Sequence, residues 1–174
     1  PFLETVEPDA DTLGNHEFDR PLDATAELCR AAPQTWVCAN LADDGPTSAF
    51  RDDAGVIPWT VCQAGAETVG VVGVASPDTD DISPRARDLT FTEPVPAAWE
   101  AVDALRVRGV DQVVVISHVG DDAPLARALD VPVVLGGHIH DTREETIDGT
   151  LVLRPGPVGK RLAEVTVDGG ASDT

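Results

Sequence analysis

The chain has four histidines in 174 residues, and all of them stand after apolar runs, in Gly14-Asn15-His16-Glu17-Phe18-Asp19, Ser117-His118-Val119-Gly120 and Gly136-Gly137-His138-Ile139-His140-Asp141. Val113 to Ile116 and Val131 to Leu135, which lead into the last two motifs, are short, continuous and rich in branched residues. Such runs read as strands buried on both faces, the kind found in parallel sheets covered by helices. In open α/β sheets, ligands gather beyond the carboxyl ends of the strands. Three polar motifs at strand ends can therefore converge on one place, and the fold must be one that allows it.

The rest of the chain supplies the covering helices. Leu22 to Ala31 has helical spacing, with Pro21 at its start and Pro33 beyond its end, and Thr35 to Ala39 follows as a buried strand. Pro94 to Arg108 carries Ala98, Ala101, Val102 and Leu105 on one stripe and stops at Gly109. Asp122 to Leu129 reads as a short helix between strands 112–116 and 131–135. Ala10 to Leu13 is a short strand entering the first motif, and residues 2–7 resemble the last turns of a helix. Val56 to Gln63 and Glu67 to Ala75 form a hairpin about Ala64-Gly65-Ala66, while Ser76 to Thr90 reads as loop. Beyond residue 135 only strands are expected: Glu145 to Leu153 around Asp148-Gly149, then Arg161 to Val167. Alternating β and α followed by strands alone implies one α/β domain with a mixed pair of sheets covered by helices.

Charge narrows the partners. The net charge is −19, and Lys160 is the single lysine. A surface this anionic disfavours DNA, RNA and anionic membranes, and it repels a phosphorylated substrate unless local cations reverse the field. The Asp-rich, Lys-poor balance resembles proteins of extreme halophiles, in which concentrated salt screens self-repulsion, so poor stability is expected in dilute buffer. Cys29, Cys38 and Cys62 are odd in number and lie in apolar contexts, which argues for buried thiols rather than a disulfide framework. No apolar run approaches the roughly 20 residues of a membrane span, and residues 1–8 do not resemble a signal peptide.

The motifs have the chemistry of a metal site. In an extended segment His138 and His140 would project to one side with Cα atoms about 6.6 Å apart, a spacing suited to one imidazole on each of two ions. Gly136 and Gly137 would let the backbone turn there. Asn15 offers a neutral amide oxygen to a cation. His16, next to it, must point elsewhere, and Asp19 is placed to orient its imidazole for proton donation to a leaving oxygen. His118, alone, is equally consistent with a core histidine or a ligand.

The ordered set G-N-H-E-F-D, S-H-x-G and G-G-H-x-H resembles the calcineurin-like metallophosphoesterases, and within them the 5′-nucleotidase branch. The resemblance covers nearly the whole chain, including Ala39-Asn40-Leu41, 69–74, 105–118 and the segment from Pro155-Gly156 to Gly159-Lys160. It implies a four-layer α/β/β/α sandwich with mixed sheets. It also implies two divalent metal ions, with Asn15, His118 and His138 on one and His140 on the other, and catalytic roles for His16 and Asp19. The implied activity is in-line hydrolysis of phosphomonoesters, with a nucleotide as the substrate; the alternatives are a 2′,3′-cyclic nucleotide phosphodiesterase or an inactive domain that only binds metal. The family pattern departs at one point. It also has an upstream D-x-H and an upstream G-D; no histidine here follows an Asp by two residues, and the Gly120-Asp121 step lies after the motif it would have to precede. Residues 1–174 are thus expected to form a metallophosphoesterase domain lacking its first strands and the separate substrate domain, with the second ion weakly held.

Overall fold

The computed structural model describes residues 5–167. Strands β1 (Ala10–Thr12) and β2 (Thr35–Val37) pair in parallel as a small sheet. The larger sheet contains β3 (Trp59–Ala64), β4 (Glu67–Ala75), β5 (Gln112–His118), β6 (Val133–Gly136), β7 (Arg143–Ile147) and β8 (Thr150–Arg154). Its order is β3-β4-β5-β6-β8-β7, with β4, β5, β6 and β8 parallel and the two edge strands antiparallel to their neighbours. The helices are α1 (Leu22–Ala31), α2 (Gly45–Ala54), α3 (Thr79–Ile82), α4 (Pro94–Val107) and α5 (Ala123–Leu129).

Two cores separate the layers. Phe18, Ala26, Cys29, Phe50 and Ala54 pack α1 and α2 around the small sheet. Ala98, Val102 and Leu105 of α4, with Leu125 and Leu129 of α5, bury the opposite face of the large sheet against Val72, Val74, Val113, Val115 and Val134. The sheets press together at Gly73, where a Cβ would stand 2.1 Å from the Val37 carbonyl oxygen and 2.7 Å from Thr12 Oγ1. The absence of a side chain there lets the layers close, so the four-layer α/β/β/α arrangement with a mixed sheet expected from the sequence is the one observed.

Several local expectations are corrected. The strand placed at Val56 begins only at Trp59. Ile57 instead belongs to the small sheet, accepting from Cys38 N–H at 2.8 Å and donating to the Trp36 carbonyl at 3.1 Å, so the chain crosses between sheets at Pro58. The loop expected over residues 76–90 contains α3. Arg161 to Val167 forms no strand. The segment pairs with neither edge strand of the large sheet, and Leu162 stays exposed. Thr5 and Val6 are helical as expected; residues 2–4 of that expectation lie outside the described residues. Helix α2 was not foreseen. Its start, Asp44-Gly45-Pro46, has the composition of a turn, although proline in a first helical turn is well tolerated. Cys29 and Cys38 are buried and Cys62 half-buried, all free. Burial pushes the Cys29 and Cys38 thiols up to about 11 and about 12, which keeps them protonated.

Candidate active site

Three strand ends deliver the motif residues. β1 runs into Leu13 and Gly14, after which Asn15–Asp19 forms one short 3-10 turn. Gly14 N–H donates to the Glu17 carboxylate at 2.6 Å, and Ser83 Oγ donates to the Asn15 carbonyl at 2.9 Å, so the start of the turn is fixed twice. Phe18 anchors it from below: it is buried between Phe50 and Phe91, with ring centroids 5.8 and 5.9 Å away. His118 is the last residue of β5. Its ring lies flat over Gly14, where a Cβ would be 2.7 Å from Nε2. Any side chain at position 14 would displace the imidazole.

The loop after β6 is not extended. Ile139 N–H donates to the Gly137 carbonyl at 2.8 Å, and His138 between them has φ of +66°. This is the rarer form of γ-turn, a strained conformation for a residue with a side chain. The alternation that would put His138 and His140 side by side is therefore broken. His138 turns inward, while His140 is exposed. Gly136 is required for a reason other than turning: a Cβ there would lie 2.2 Å from Asp122 Oδ2.

The result is a compact donor set. Asn15 Oδ1 faces His118 Nε2 at 3.1 Å and His138 Nδ1 at 3.2 Å. The two rings meet edge to face with centroids 4.9 Å apart. Ligands held about 2.1 Å from one ion stand about 3.0 Å apart at right angles and about 3.4 Å apart in a tetrahedron. The observed spacings lie between these values, and an amide oxygen with two imidazoles and no thiolate suits Mn²⁺, Zn²⁺, Fe²⁺ or Co²⁺. The two spacings from Asn15 Oδ1 are compatible with one shared ion. Among the described residues no group of three or more His, Cys, Asp or Glu side chains is arranged to hold a metal. The cluster depends on the Asn15 amide, and the sequence had to be read for Asn as well as His to find it.

His16 makes its hydrogen bond outside this set. Its Nδ1 lies 3.0 Å from Asp19 Oδ2, and both side chains are exposed. Both His16 and His140 are near enough for their charge to act on His118. The structure thus brings Asn15, His118 and His138 together and leaves His16 and His140 at the margin.

Burial, and then the charges of His138, His16 and His140, push the His118 imidazole down to about 4. Neutral imidazole is the form that ligates metal. The shift also has a consequence for the metal-free protein. An unfolded chain takes up this proton near pH 6.5, so His118 contributes its full stability above that pH and loses it as pH falls toward about 4. Asp11 and Glu17 act in the opposite sense. Burial raises both, so their contribution is present in acid and is lost as pH rises. In the presence of chelator, His118→Gln should therefore lose less stability than the unaltered protein between pH 7.5 and 4.5. Urea midpoints at the two pH values test this, and equal losses would refute it.

Sequence reading did not single out Asp122, Asp141 or Arg154. Asp122 is fully buried and accepts from Ser117 Oγ at 2.7 Å and from Arg154 Nη2 at 2.7 Å. Arg154 is itself buried, and it also donates from Nη2 to the Gly120 carbonyl at 2.7 Å and from Nη1 to Asp141. The only advance signal was a lone arginine ending an apolar strand.

No family model matches the chain. Human 5′-nucleotidase is 31% identical over 173 residues, covering 97% of this chain and 29% of that protein. An apyrase of Tabanus yao is 32% identical over 144 residues, 80% of this chain and 25% of its own length. The crystal structure of a 5′-nucleotidase precursor from Thermus thermophilus superposes with a TM-score of 0.79 at 29% identity, over 89% of this chain and 34% of that one. A calcineurin-like phosphoesterase of Bacillus subtilis shares the fold, with a TM-score of 0.72 at 19% identity, over 88% of this chain and 56% of its own. The chain spans less than half the length of the nucleotidases it matches.

Proposed function

The chain belongs to the calcineurin-like metallophosphoesterase superfamily, on its 5′-nucleotidase branch, and from that membership we propose that it hydrolyses phosphomonoesters, with nucleotides as the substrate class. The observation that carries this reading is the Asn15 amide oxygen set against two imidazole nitrogens at 3.1 and 3.2 Å. In it Asn15, His118 and His138 would hold one divalent ion and His140 would contribute to a second. Bound metal supplies activation of the attacking water and neutralisation of the phosphoryl oxygens.

The protein's own groups do the rest. The Asp19 carboxylate occupies Nδ1 of His16 and fixes the ring's tautomer and direction, which leaves Nε2 as the atom that passes a proton to the departing oxygen. His118 stays neutral through the physiological range and so does not compete with that proton transfer. Gly14 and Gly120 keep side chains away from the two ligand rings, leaving the phosphoryl group room to approach: a Cβ at Gly120 would be 3.2 Å from His138 Cδ2.

The test is phosphate release from a nucleoside 5′-monophosphate and from a 2′,3′-cyclic nucleotide, each with Mn²⁺, Zn²⁺ or Co²⁺ and again with chelator, in dilute and in concentrated salt. Metal-dependent release from the monoester is expected. Preference for the cyclic diester would redirect the substrate assignment. One bound ion per chain with no turnover on either ester would replace the enzyme reading with a structural metal site.

A further inference from the structure

The ends of β5 and β6, which carry His118 and His138, are joined to the end of β8 by a buried ion network. Ser117 precedes His118, and its hydroxyl donates to Asp122 Oδ1 at 2.7 Å. The other oxygen of Asp122 lies against Gly136, so close that a Cβ there would be 2.2 Å away. That carboxylate therefore touches the neighbour of one ligand and the strand end that leads into the other. Arg154, the last residue of β8, binds the same oxygen, reaches the Gly120 carbonyl in the loop after His118, and pairs with Asp141, which follows His140.

We propose that Arg154 is a positioning residue for the site: its guanidinium fixes the spacing between the His118 loop and the His138–His140 loop. The proposal rests on the metallophosphoesterase reading for its purpose, and on the geometry for its mechanism. Burying a cation is costly unless it is paired. Arg154 is 3% exposed and Asp122 is 0% exposed; two carboxylates and a carbonyl meet Nη1 and Nη2 of the fork, while the buried Nε has no hydrogen-bond partner. The strained turn at His138 needs such support, since a conformation of this kind persists only where its surroundings over-determine it. Arg154 reaches Asp141 from Nη1 and Asp122 and Gly120 from Nη2, whereas a lysine carries all its donors on one nitrogen at the end of a flexible stem, so lysine is not an adequate replacement. Nearby Arg143 does not substitute. Its guanidinium is 2.8 Å from Glu145 and 3.8 Å from Asp121, on the outer side of the loop.

The experiment uses the full chain with Mn²⁺ as the probe. Arg154→Lys and Asp141→Asn are compared with Val152→Ala, which removes core volume from the same strand without touching the network. Affinity for Mn²⁺ is measured by calorimetry, and amide hydrogen exchange over residues 118–121 and 137–141 is measured in metal-free protein. Both network variants should weaken Mn²⁺ binding by about 10- to 100-fold, the usual loss when an outer partner of a metal ligand is removed. They should also speed exchange in the two loops about tenfold. Val152→Ala should lower the melting temperature while leaving affinity within about twofold. Asp141→Asn keeps the test decisive if Arg154→Lys does not fold, because Asp141 is more than half exposed. Unchanged affinity or unchanged exchange in the network variants would overturn the proposal. If the unaltered protein binds no Mn²⁺, the functional reading fails separately, and loop exchange alone then decides whether Arg154 holds the two loops.

Discussion

Replacing His118 or His138 by alanine should abolish tight metal binding and, with it, turnover. In the proposed site each ring is one of three donors, and each ring nitrogen already stands 3.1 or 3.2 Å from the third, Asn15 Oδ1. Loss of an outer partner commonly costs 10- to 100-fold in affinity, so loss of a direct donor should exceed about 100-fold. The exposed histidines should behave differently. His140→Ala should lower the number of ions bound while the Asn15 set keeps its own. His16→Ala should leave the metal content intact and reduce kcat by about 10²- to 10⁴-fold, the range for a positioned proton donor. Metal content after gel filtration and steady-state kinetics on the same samples separate the three outcomes. Full metal content in His138→Ala would sink the ligand assignment. An unchanged kcat in His16→Ala would sink the donor role.

That the four histidines lie just beyond strand ends was legible in the sequence, because the apolar runs before them are local signals. α1 was readable from its flanking prolines and α4 from its apolar stripe and terminal glycine, since both are local signals. The features that were not legible are contacts between distant segments. The γ-turn sets the His138 ring against Asn15 and His118, from distant segments, and nothing in Gly136-Gly137-His138-Ile139-His140 distinguishes it from an extended run. Gly136 looked like a residue chosen for its flexible backbone, yet it is required because the Asp122 carboxylate comes so close. Arg154 and Asp122 lie 32 residues apart in the chain and pair only after β8 has inserted beside β6. Arg161 to Val167 failed for the converse reason: a strand-like pattern is a local signal, and forming a strand requires a partner edge.

The same protein should gain stability as salt is added. It carries 31 acidic residues against 12 Lys and Arg. Several of those cations are already engaged in exposed pairs, such as Arg30 with Asp53 at 2.6 Å and Arg106 with Asp130 at 3.6 Å, and such pairs contribute little. Most carboxylates therefore face others of the same sign, and the folded state holds them closer together than the unfolded chain does. The Debye length falls from about 10 Å at 0.1 M salt to about 3 Å at 1 M, shorter than most separations between surface charges. Relief of about 2–3 kcal/mol of repulsion would raise the melting temperature by about 5–10 °C in a chain of this size. The rise should flatten above about 1 M KCl, because screening saturates there. An uncharged osmolyte at matched osmolality should not reproduce the steep early part, which separates screening from preferential exclusion. If the proposed substrate is anionic, kcat/KM should also climb over the same range, the reverse of what electrostatic attraction would give. A melting temperature that stays flat or falls between 0.1 and 1 M KCl would mean that the acidic surface is not under strain, and that its charge does not set how this protein meets a phosphorylated ligand.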